Sequence, residues 1–246
     1  MNILVIPDTH VKPGENLGRF DWMYNLTLNI KISHVVHLGD LLDMPSLCRY
    51  DQDHSNFKKR NISNDIESGN YVFEKLFDIQ NDGAIVTVLG GNHDEERISR
   101  LLRNDERFVN SIPTYKSVVE GEGLTYVPYQ ENFTLGGVNF SHHFPSGVLG
   151  KPISGENPAS TLIKKMHKSC VVGHQHTLDY AERVAVDGQR LHGYVAGCFI
   201  DPKWKASYAG AAQKMWRNGL SILHNVKNGS FDLEFISIER LKEQYS

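Results

Sequence analysis

Short apolar runs that end in metal-ligating residue types recur along the first part of this chain. Each run is bounded by Gly, Pro or a polar residue, which predicts a buried strand rather than a helix. The carboxyl ends of parallel strands lie at one edge of a sheet, so the polar residues that follow these runs are expected to meet there. The first three runs with their following residues are 3–6 with Asp8 and His10, 35–38 with Asp40, and 84–89 with Asn92 and His93.

Helical patterns separate these three runs. Residues 20–30 have helical spacing, and residues 61–82 carry an apolar stripe with a period of about 3.6 residues that includes Ile66 and Phe73. The order strand, helix, strand, helix, strand predicts a parallel sheet with helices on its faces.

The second half of the chain has a different pattern. Strands are predicted at 125–129, 138–141 and 170–172, and a helix at 158–168. Residues 180–200 and 220–238 alternate in a β-type pattern, with turns at Asp187-Gly188 and Asn228-Gly229. We therefore expect an α+β fold with two packed sheets and helices outside, forming one domain over residues 1–246. Residues 177–246 are expected to complete the second sheet, and the polar loops 43–61 and 144–157 to lie near a site.

Composition excludes several other classes of protein. The chain has 246 residues with 40% hydrophobic and 22% charged content, which argues against disorder and against a coiled coil. A formal net charge of −3 gives no indication of strong non-specific binding to DNA. No apolar run approaches the roughly 18 residues of a membrane span. Three widely spaced cysteines, Cys48, Cys170 and Cys198, argue against a disulfide framework and predict a reducing, cytoplasmic location.

Histidine is the residue type that raises the expectation of chemistry, with 12 in the chain. The strand at 138–141 is followed by His142 and His143, and the strand at 170–172 by His174 and His176. In an extended chain, residues two apart point the same way, so pairs such as His174 and His176 are expected to face one site. Oxygen and nitrogen ligands without a thiolate favour Mn²⁺, Fe or Zn²⁺.

The order of these motifs resembles that of the calcineurin-like metallophosphoesterases. The family pattern is D-x-H, G-D, G-N-H-[DE], H and G-H-x-H. This chain has the corresponding residues over positions 8–176: Asp8-Thr9-His10, Gly39-Asp40, Gly91-Asn92-His93-Asp94, His142 and Gly173-His174-Gln175-His176.

The resemblance implies a four-layer αββα sandwich, with two mixed β-sheets flanked by helices and two divalent metal ions at one edge. Mn²⁺ is favoured, with Fe, Zn²⁺ or Ni²⁺ as alternatives. It also implies that His93 contacts the substrate phosphate as a general acid or as a charge on the transition state. The family usually has a single His at the fourth motif, and His142 is preferred there to His143 because it directly follows the strand. The implied ligands are Asp8, His10, Asp40 and His176 for the first ion, and Asp40, Asn92, His142 and His174 for the second.

Other residues around these motifs have two interpretations each. Asp94 either orients His93 or caps the helix that begins near Glu95. Asp43 either supports a ligand from behind or begins a helix. Candidate substrate contacts are His143, Arg97 and Lys151, although the last two are more typical of a solvated surface. Trp204, Tyr208 and Trp216 alternate with basic residues, a pattern that occurs both in nucleic-acid binding and in ordinary packing.

The function that follows is hydrolysis of a phosphomonoester or phosphodiester by water activated between two metal ions. A nuclease of the repair-exonuclease type is the alternative, with a nucleotide or nucleic acid as partner instead of a smaller phosphoester. A non-catalytic scaffold is the third hypothesis, which the intact ligand set argues against. The sequence predicts no membrane partner and leaves the oligomeric state open.

Overall fold

The computed structural model describes residues 1–49, 60–204 and 209–246. Its strands in chain order are β1 (Ile3–Ile6), β2 (His34–His37), β3 (Ile85–Leu89), β4 (Thr125–Val127), β5 (Phe133–Leu135), β6 (Val138–Ser141), β7 (Pro145–Ser146), β8 (Lys151–Pro152), β9 (Cys170–Val172), β10 (Leu178–Val184), β11 (Arg190–Ala196), β12 (Gly219–Lys227) and β13 (Ser230–Ser237). Its α-helices are α1 (Gly18–Asn29), α2 (Ile62–Glu67), α3 (Asn70–Asn81), α4 (Glu95–Asn104), α5 (Tyr115–Gly121), α6 (Pro158–Met166) and α7 (Ile238–Tyr245).

The first sheet has the order β13-β12-β1-β2-β3-β4 among the described residues. Strands β1 to β4 run parallel, as the alternation of apolar runs and helices predicted. All four residues of β1 are buried, which explains why its sequence is continuously apolar rather than alternating. Strand β12 is antiparallel to β1, so the sheet as a whole is mixed.

The second sheet has the order β10-β11-β9-β6-β5 and is also mixed. Strands β6, β9 and β11 are parallel to one another, and β5 and β10 add antiparallel edges. The prediction that residues 177–246 complete this sheet is correct for β10 and β11 and wrong for β12 and β13. The latter pair instead extends the first sheet beyond β1, where Leu220 and Ile222 pack into its helix-covered core.

Two sheets packed face to face, with helices on their outer faces, give the predicted αββα sandwich. The layer between the sheets is apolar and includes Ile3 and Val5 from β1 and Phe140 and Tyr194 from the second sheet. The outer face of the first sheet packs against a cluster that includes buried residues of α1, α3 and α7. On the outer face of the second sheet, Leu162 of α6 packs with Val172 and Val195. No helix in the described part of the chain is long and apolar enough to cross a bilayer.

The two predicted loops differ in how far the structure describes them. Of loop 43–61, residues 50–59 lie outside the described ranges, and residues 45–47 form a short 3₁₀ turn. Loop 144–157 contains the small β7–β8 hairpin, whose base is attached to the site region because the Gln175 side chain donates a hydrogen bond to the Ile153 carbonyl at 2.8 Å.

Candidate metal centre

Loops after five strands converge at one end of the two facing sheets. The residues after β1, β2 and β3 come from the first sheet, and those after β6 and β9 from the second. Backbone contacts fix the loops to one another: Thr9 and His10 both donate hydrogen bonds to the Asp40 carbonyl, at 3.1 and 3.0 Å. The structure thus brings together the seven residues that the sequence proposed as metal ligands: Asp8, His10, Asp40, Asn92, His142, His174 and His176.

One group of side chains gathers around Asp8. The Nε2 atom of His176 lies 3.0 Å from Asp8 Oδ2 and 3.1 Å from the Nε2 atom of His10. His10 Nε2 is in turn 3.6 Å from Asp40 Oδ2. All four residues are buried, at no more than 5% exposure. Two nitrogens and two carboxylates that face one another this closely are a donor set that fits one divalent cation.

A second group shares Asp40 with the first. His142 Nε2 lies 3.4 Å from Asp40 Oδ2 and 2.9 Å from Asn92 Oδ1. The Nδ1 atom of His174 is 2.9 Å from the same amide oxygen and 3.2 Å from His142 Nε2. Asp40 therefore lies between two donor sets.

The ring of His142 is oriented toward Asp40 and Asn92, whereas His143 shares only its closeness to His142 and His174, with ligand atoms of the three within 4.8 Å of one another. His142 Nδ1 lies 2.9 Å from the Leu38 carbonyl, so this nitrogen carries the proton and donates it. The other ring nitrogen, Nε2, then faces Asp40 and Asn92. His143 contacts His174 and Tyr129 through its ring, at centroid distances of 5.2 and 5.4 Å, and its buried Nδ1 has no hydrogen-bond partner among the described residues.

Asp43 supports two of the histidines from behind. Its Oδ1 atom accepts from His93 Nδ1 at 2.8 Å and from His10 Nδ1 at 3.2 Å. Burial raises the pKa of Asp43, but these two hydrogen bonds and the nearby imidazoles lower it well below the usual value, so the group is a carboxylate. Of its two interpretations, support of a ligand is the one that the contacts favour.

Asp94 acts on the backbone and not on His93. Its fully buried carboxylate accepts hydrogen bonds from the amides of Leu41, Gly91 and Glu95, at 2.8, 2.7 and 2.7 Å. It is the N-cap of α4, and it ties the loop after β2 to the loop after β3. The prediction that Asp94 orients His93 is therefore wrong, because Asp43 occupies that position. Its inclusion among the catalytic residues has no support in these contacts.

Glycines allow the loops to approach this closely. A Cβ on Gly91 would lie 2.1 Å from Asp40 Oδ1, and one on Gly173 would lie 2.1 Å from Asp8 Oδ1. Real Cβ atoms do not approach oxygen so closely, so any side chain at either position would displace a carboxylate. The glycines of the G-N-H and G-H-x-H motifs thus make room for the acidic groups of neighbouring loops.

The backbone directs the ligands by a route that the sequence did not predict. His10, Asp40, His174 and His176 all have left-handed φ angles, of 45°, 51°, 69° and 61°. The expectation that residues two apart, such as His174 and His176, point the same way because the chain is extended there is therefore wrong. His174 and His176 belong to different donor sets. Each left-handed non-glycine residue costs about 1–2 kcal/mol, which the surrounding contacts must offset.

Electrostatics within the centre favour two carboxylates among histidines. Burial raises the pKa of Asp40, but the nearby imidazoles of His142, His93 and His10 lower it to about 2. The same opposing effects hold the pKa of Asp8 far below its usual range. Burial, together with the charge of His142, lowers the pKa of His174 to about 3, so this imidazole is neutral and has a lone pair for a cation.

The candidate substrate contacts differ in their distance from the centre. Arg97 reaches His93, with its Nη2 atom 3.3 Å from His93 Nε2, while its Nη1 atom donates to the Met44 carbonyl at 3.3 Å. Lys151 is exposed in the β7–β8 hairpin and lines a surface cavity of about 380 Å³ that none of the metal-ligand candidates lines.

The sequence did not predict two features around the centre. Arg19 is buried, and its guanidinium donates to the carbonyls of Thr9, Asn16 and Phe199 at 3.2, 2.8 and 2.9 Å. In the sequence, nothing marks an arginine near the start of a helix as a residue that joins three loop carbonyls. The second feature is the position of two tryptophans beside the first donor set.

Two tryptophans pack against histidines of the first donor set, the group around Asp8. Trp204 stacks on the ring of His10 at 6.0 Å, and Trp216 meets the ring of His176 edge-on at 4.3 Å. The two indoles stack on each other at 5.7 Å, and Lys12 lies over Trp204 at 4.4 Å. Tyr208, which the sequence grouped with them, lies outside the described residues.

Comparison with known proteins gives a distant relative and distant structural likenesses. No family model matches the chain. The Gene 54 protein of Mycobacterium phage D29 is 25% identical over 232 residues, which is 90% of this chain and 88% of that protein. Among solved structures, Yfce, a phosphoesterase from E. coli, is 16% identical with a TM-score of 0.43, over 97% of this chain and all of the other. The Pseudomonas putida nuclease MPE is 14% identical with a TM-score of 0.39, over 94% of this chain and 87% of the other.

The fold of this chain is assigned from its own strand order and layers. Two mixed sheets face each other, and helices cover their outer sides. The αββα architecture expected from the resemblance to calcineurin-like metallophosphoesterases is therefore the architecture that this chain has.

Proposed function

We propose that this protein is a metal-dependent phosphoester hydrolase of the calcineurin-like class. The observation that carries the proposal is the position of Asp40, whose Oδ2 atom lies 3.6 Å from His10 Nε2 and 3.4 Å from His142 Nε2. A carboxylate between two nitrogen-rich donor sets suits a pair of divalent ions. Asp8, His10, Asp40 and His176 would hold one ion, and Asp40, Asn92, His142 and His174 the other. The oxygen and nitrogen donors favour Mn²⁺, with Fe, Zn²⁺ or Ni²⁺ as alternatives.

Two such ions, when bound, supply positive charge that polarises the phosphoryl group and lowers the pKa of water. The protein residues then have the remaining tasks. Because His93 donates through Nδ1 to Asp43 and its Nε2 atom faces Arg97, the orientation of its ring is fixed on both sides. His93 would contact the substrate phosphate as a general acid or as a charge on the transition state. Arg97, at 3.3 Å from His93 Nε2, would bind phosphoryl oxygens.

The test combines metal analysis with a substrate panel in Mn²⁺: an aryl phosphomonoester, an aryl phosphodiester, a cyclic nucleotide, and single- and double-stranded DNA. His93→Ala is expected to keep metal and to lose about 10²–10⁴-fold in rate, the usual contribution of a general acid. Asp40→Asn is expected to lose metal. His34→Ala is the matched control, since His34 lies at the opposite end of β2 from Asp40 and should leave rate and metal content unchanged.

The result against the proposal is equally specific. An Asp40→Asn protein that hydrolyses phosphoesters without bound metal would refute it. Wild-type protein that binds no divalent metal would refute it as well, and would favour the scaffold alternative.

A nuclease remains the second candidate because of the tryptophans beside the first donor set. Indole rings stack on nucleobases with little sequence preference, at about 1–3 kcal/mol per base. Trp216 is partly exposed, whereas Trp204 is 8% exposed, so Trp216 is the ring that a base would meet. If DNA or a cyclic nucleotide is the preferred substrate, Trp216→Ala should raise KM for it far more than KM for the aryl esters.

A cytoplasmic location stays our prediction from the cysteines, all of which are free thiols and buried.

A further inference from the structure

Strand β10 leaves one side of its backbone open. It is the edge strand of the second sheet in the described part of the chain, with β11 as its neighbour on the other side. Unpaired strand edges can accept another strand, and proteins usually shorten, twist or cover them. This edge is seven residues long and has no irregularity in its register with β11.

The hydrogen bonds at both ends of the β10–β11 hairpin show which backbone groups of β10 point away from the sheet. Gly197 donates to the Thr177 carbonyl at 3.0 Å, and Ala185 donates to the Gln189 carbonyl at 2.8 Å. Bonded and non-bonded pairs alternate along an antiparallel ladder. The odd-numbered residues of β10 therefore bond to β11. The even-numbered residues 178, 180, 182 and 184 direct their N–H and C=O groups away from the sheet.

The side chains at these outward positions include exposed apolar groups. Leu178, Tyr180 and Val184 are 38%, 40% and 60% exposed. They share the face of β10 that is turned toward the first sheet, since the Tyr180 ring lies 6.4 Å from that of Tyr194. The odd-numbered face is turned toward α6, because Asp179 accepts a hydrogen bond from the Ala159 amide at 2.9 Å.

We propose that two copies of this chain associate through β10, paired antiparallel about a twofold axis at Ala181. This register sets each outward residue opposite another outward residue. Leu178 then faces Val184 of the second copy, and Tyr180 faces Glu182. Each of these bonded pairs exchanges two hydrogen bonds, which gives about eight across the interface.

Charge and size complementarity select this register over its neighbours. Asp179 lies opposite Arg183 of the second copy, so opposite charges meet twice across the axis. Ala181 lies opposite itself at a non-bonded position, where the Cα atoms are about 4.5 Å apart and its small side chain fits on the axis. Moving the axis to residue 182 would set Glu182 against Glu182, and moving it to residue 180 would set Leu178 against Glu182.

The proposal is tested first by sedimentation velocity of the full chain over a concentration series. The wild type is expected to show a monomer–dimer equilibrium, since pairing of one strand from each copy makes a small interface. Val184→Lys sets an ammonium against Leu178 and is expected to raise the dimer dissociation constant at least about tenfold. Val186→Lys is the matched control, because Val186 is fully exposed in the adjacent turn and outside the pairing.

Cysteine cross-linking tests the register. Directly opposed residues have Cβ atoms about 4.5–5.5 Å apart, so Ala181→Cys should form a disulfide between copies under mild oxidation. Arg183→Cys should not, since the two copies of residue 183 would be four residues apart along the strand, about 13 Å. The native cysteines are buried and should contribute little background.

Each outcome decides for or against the dimer. Loss of the dimer with Val184→Lys alone, and cross-linking at position 181 alone, would support it. A protein that is monomeric at all concentrations would overturn it, as would a dimer insensitive to Val184→Lys or equal cross-linking at 181 and 183. None of these results depends on the proposed hydrolase activity.

Discussion

Gly173 is a position where one added carbon should directly disturb the candidate metal centre. A Cβ at this residue would lie 2.1 Å from Asp8 Oδ1 and 3.3 Å from Asp8 Cγ. Asp8 is completely buried, and its carboxylate accepts two contacts from the His174 amide, at 2.9 and 3.1 Å. The carboxylate therefore cannot keep its present place in a Gly173→Ala protein.

The magnitude follows from two effects. Overpacking a buried site costs about 1–3 kcal/mol. Weakening a hydrogen bond to a charged group adds about 1.5–3 kcal/mol. Because the two effects share one displacement and are not additive, we expect Gly173→Ala to lower the free energy of unfolding by about 2–4 kcal/mol. Metal affinity should fall at least about tenfold, since Asp8 would leave its donor set.

Urea unfolding without metal and calorimetric titration with Mn²⁺ measure the two quantities separately. Gly121→Ala is the matched control: no described atom lies within 4 Å of its would-be Cβ, and the residue ends α5. Alanine there should stabilise the protein by about 0.5–1 kcal/mol and leave metal binding unchanged. A Gly173→Ala protein with wild-type stability and wild-type metal affinity would show that the reasoning from close approach is wrong.

Three further predictions test other contacts. His142→Ala should lose one of two bound metal ions, whereas His143→Ala should keep both. The number of metal ions bound per chain measures this, and the reverse result would make His143 the ligand. Asp43→Asn should weaken metal binding about 10–100-fold because a carboxylate behind a ligating histidine is lost, and unchanged titration would contradict this. Arg19→Leu should lower the free energy of unfolding by about 3–5 kcal/mol, since it breaks the buried ion pair between Arg19 and Glu15, 2.9 Å apart. Replacing the exposed Arg103 by leucine should leave the urea midpoint nearly unchanged, and equal midpoints for the two variants would contradict the prediction for Arg19.

The order of elements and the set of candidate ligands could be predicted from the sequence. Buried parallel strands need continuous apolar runs, so β1, β2 and β3 are visible as such. The ligand types that follow them, from Asp8 to His176, must then lie at one edge, because parallel strands end on the same side. The αββα arrangement was predictable through the motif resemblance. The sheet to which β12 and β13 belong could not be predicted, because alternation of apolar and polar residues indicates a strand but not its neighbour in a sheet.

Tertiary structure alone decided which atoms face one another. The left-handed φ angles of His10 and Asp40 arise where packed loops impose them, against the local preference of these residues. Asp43 rather than Asp94 became the partner of His93 because the loop after β2 folds back against the start of α4, a distance of 50 residues along the chain. The sequence thus determined which residues are available for the centre. Long-range packing determined their directions, since side-chain orientation depends on contacts between segments that no local pattern encodes.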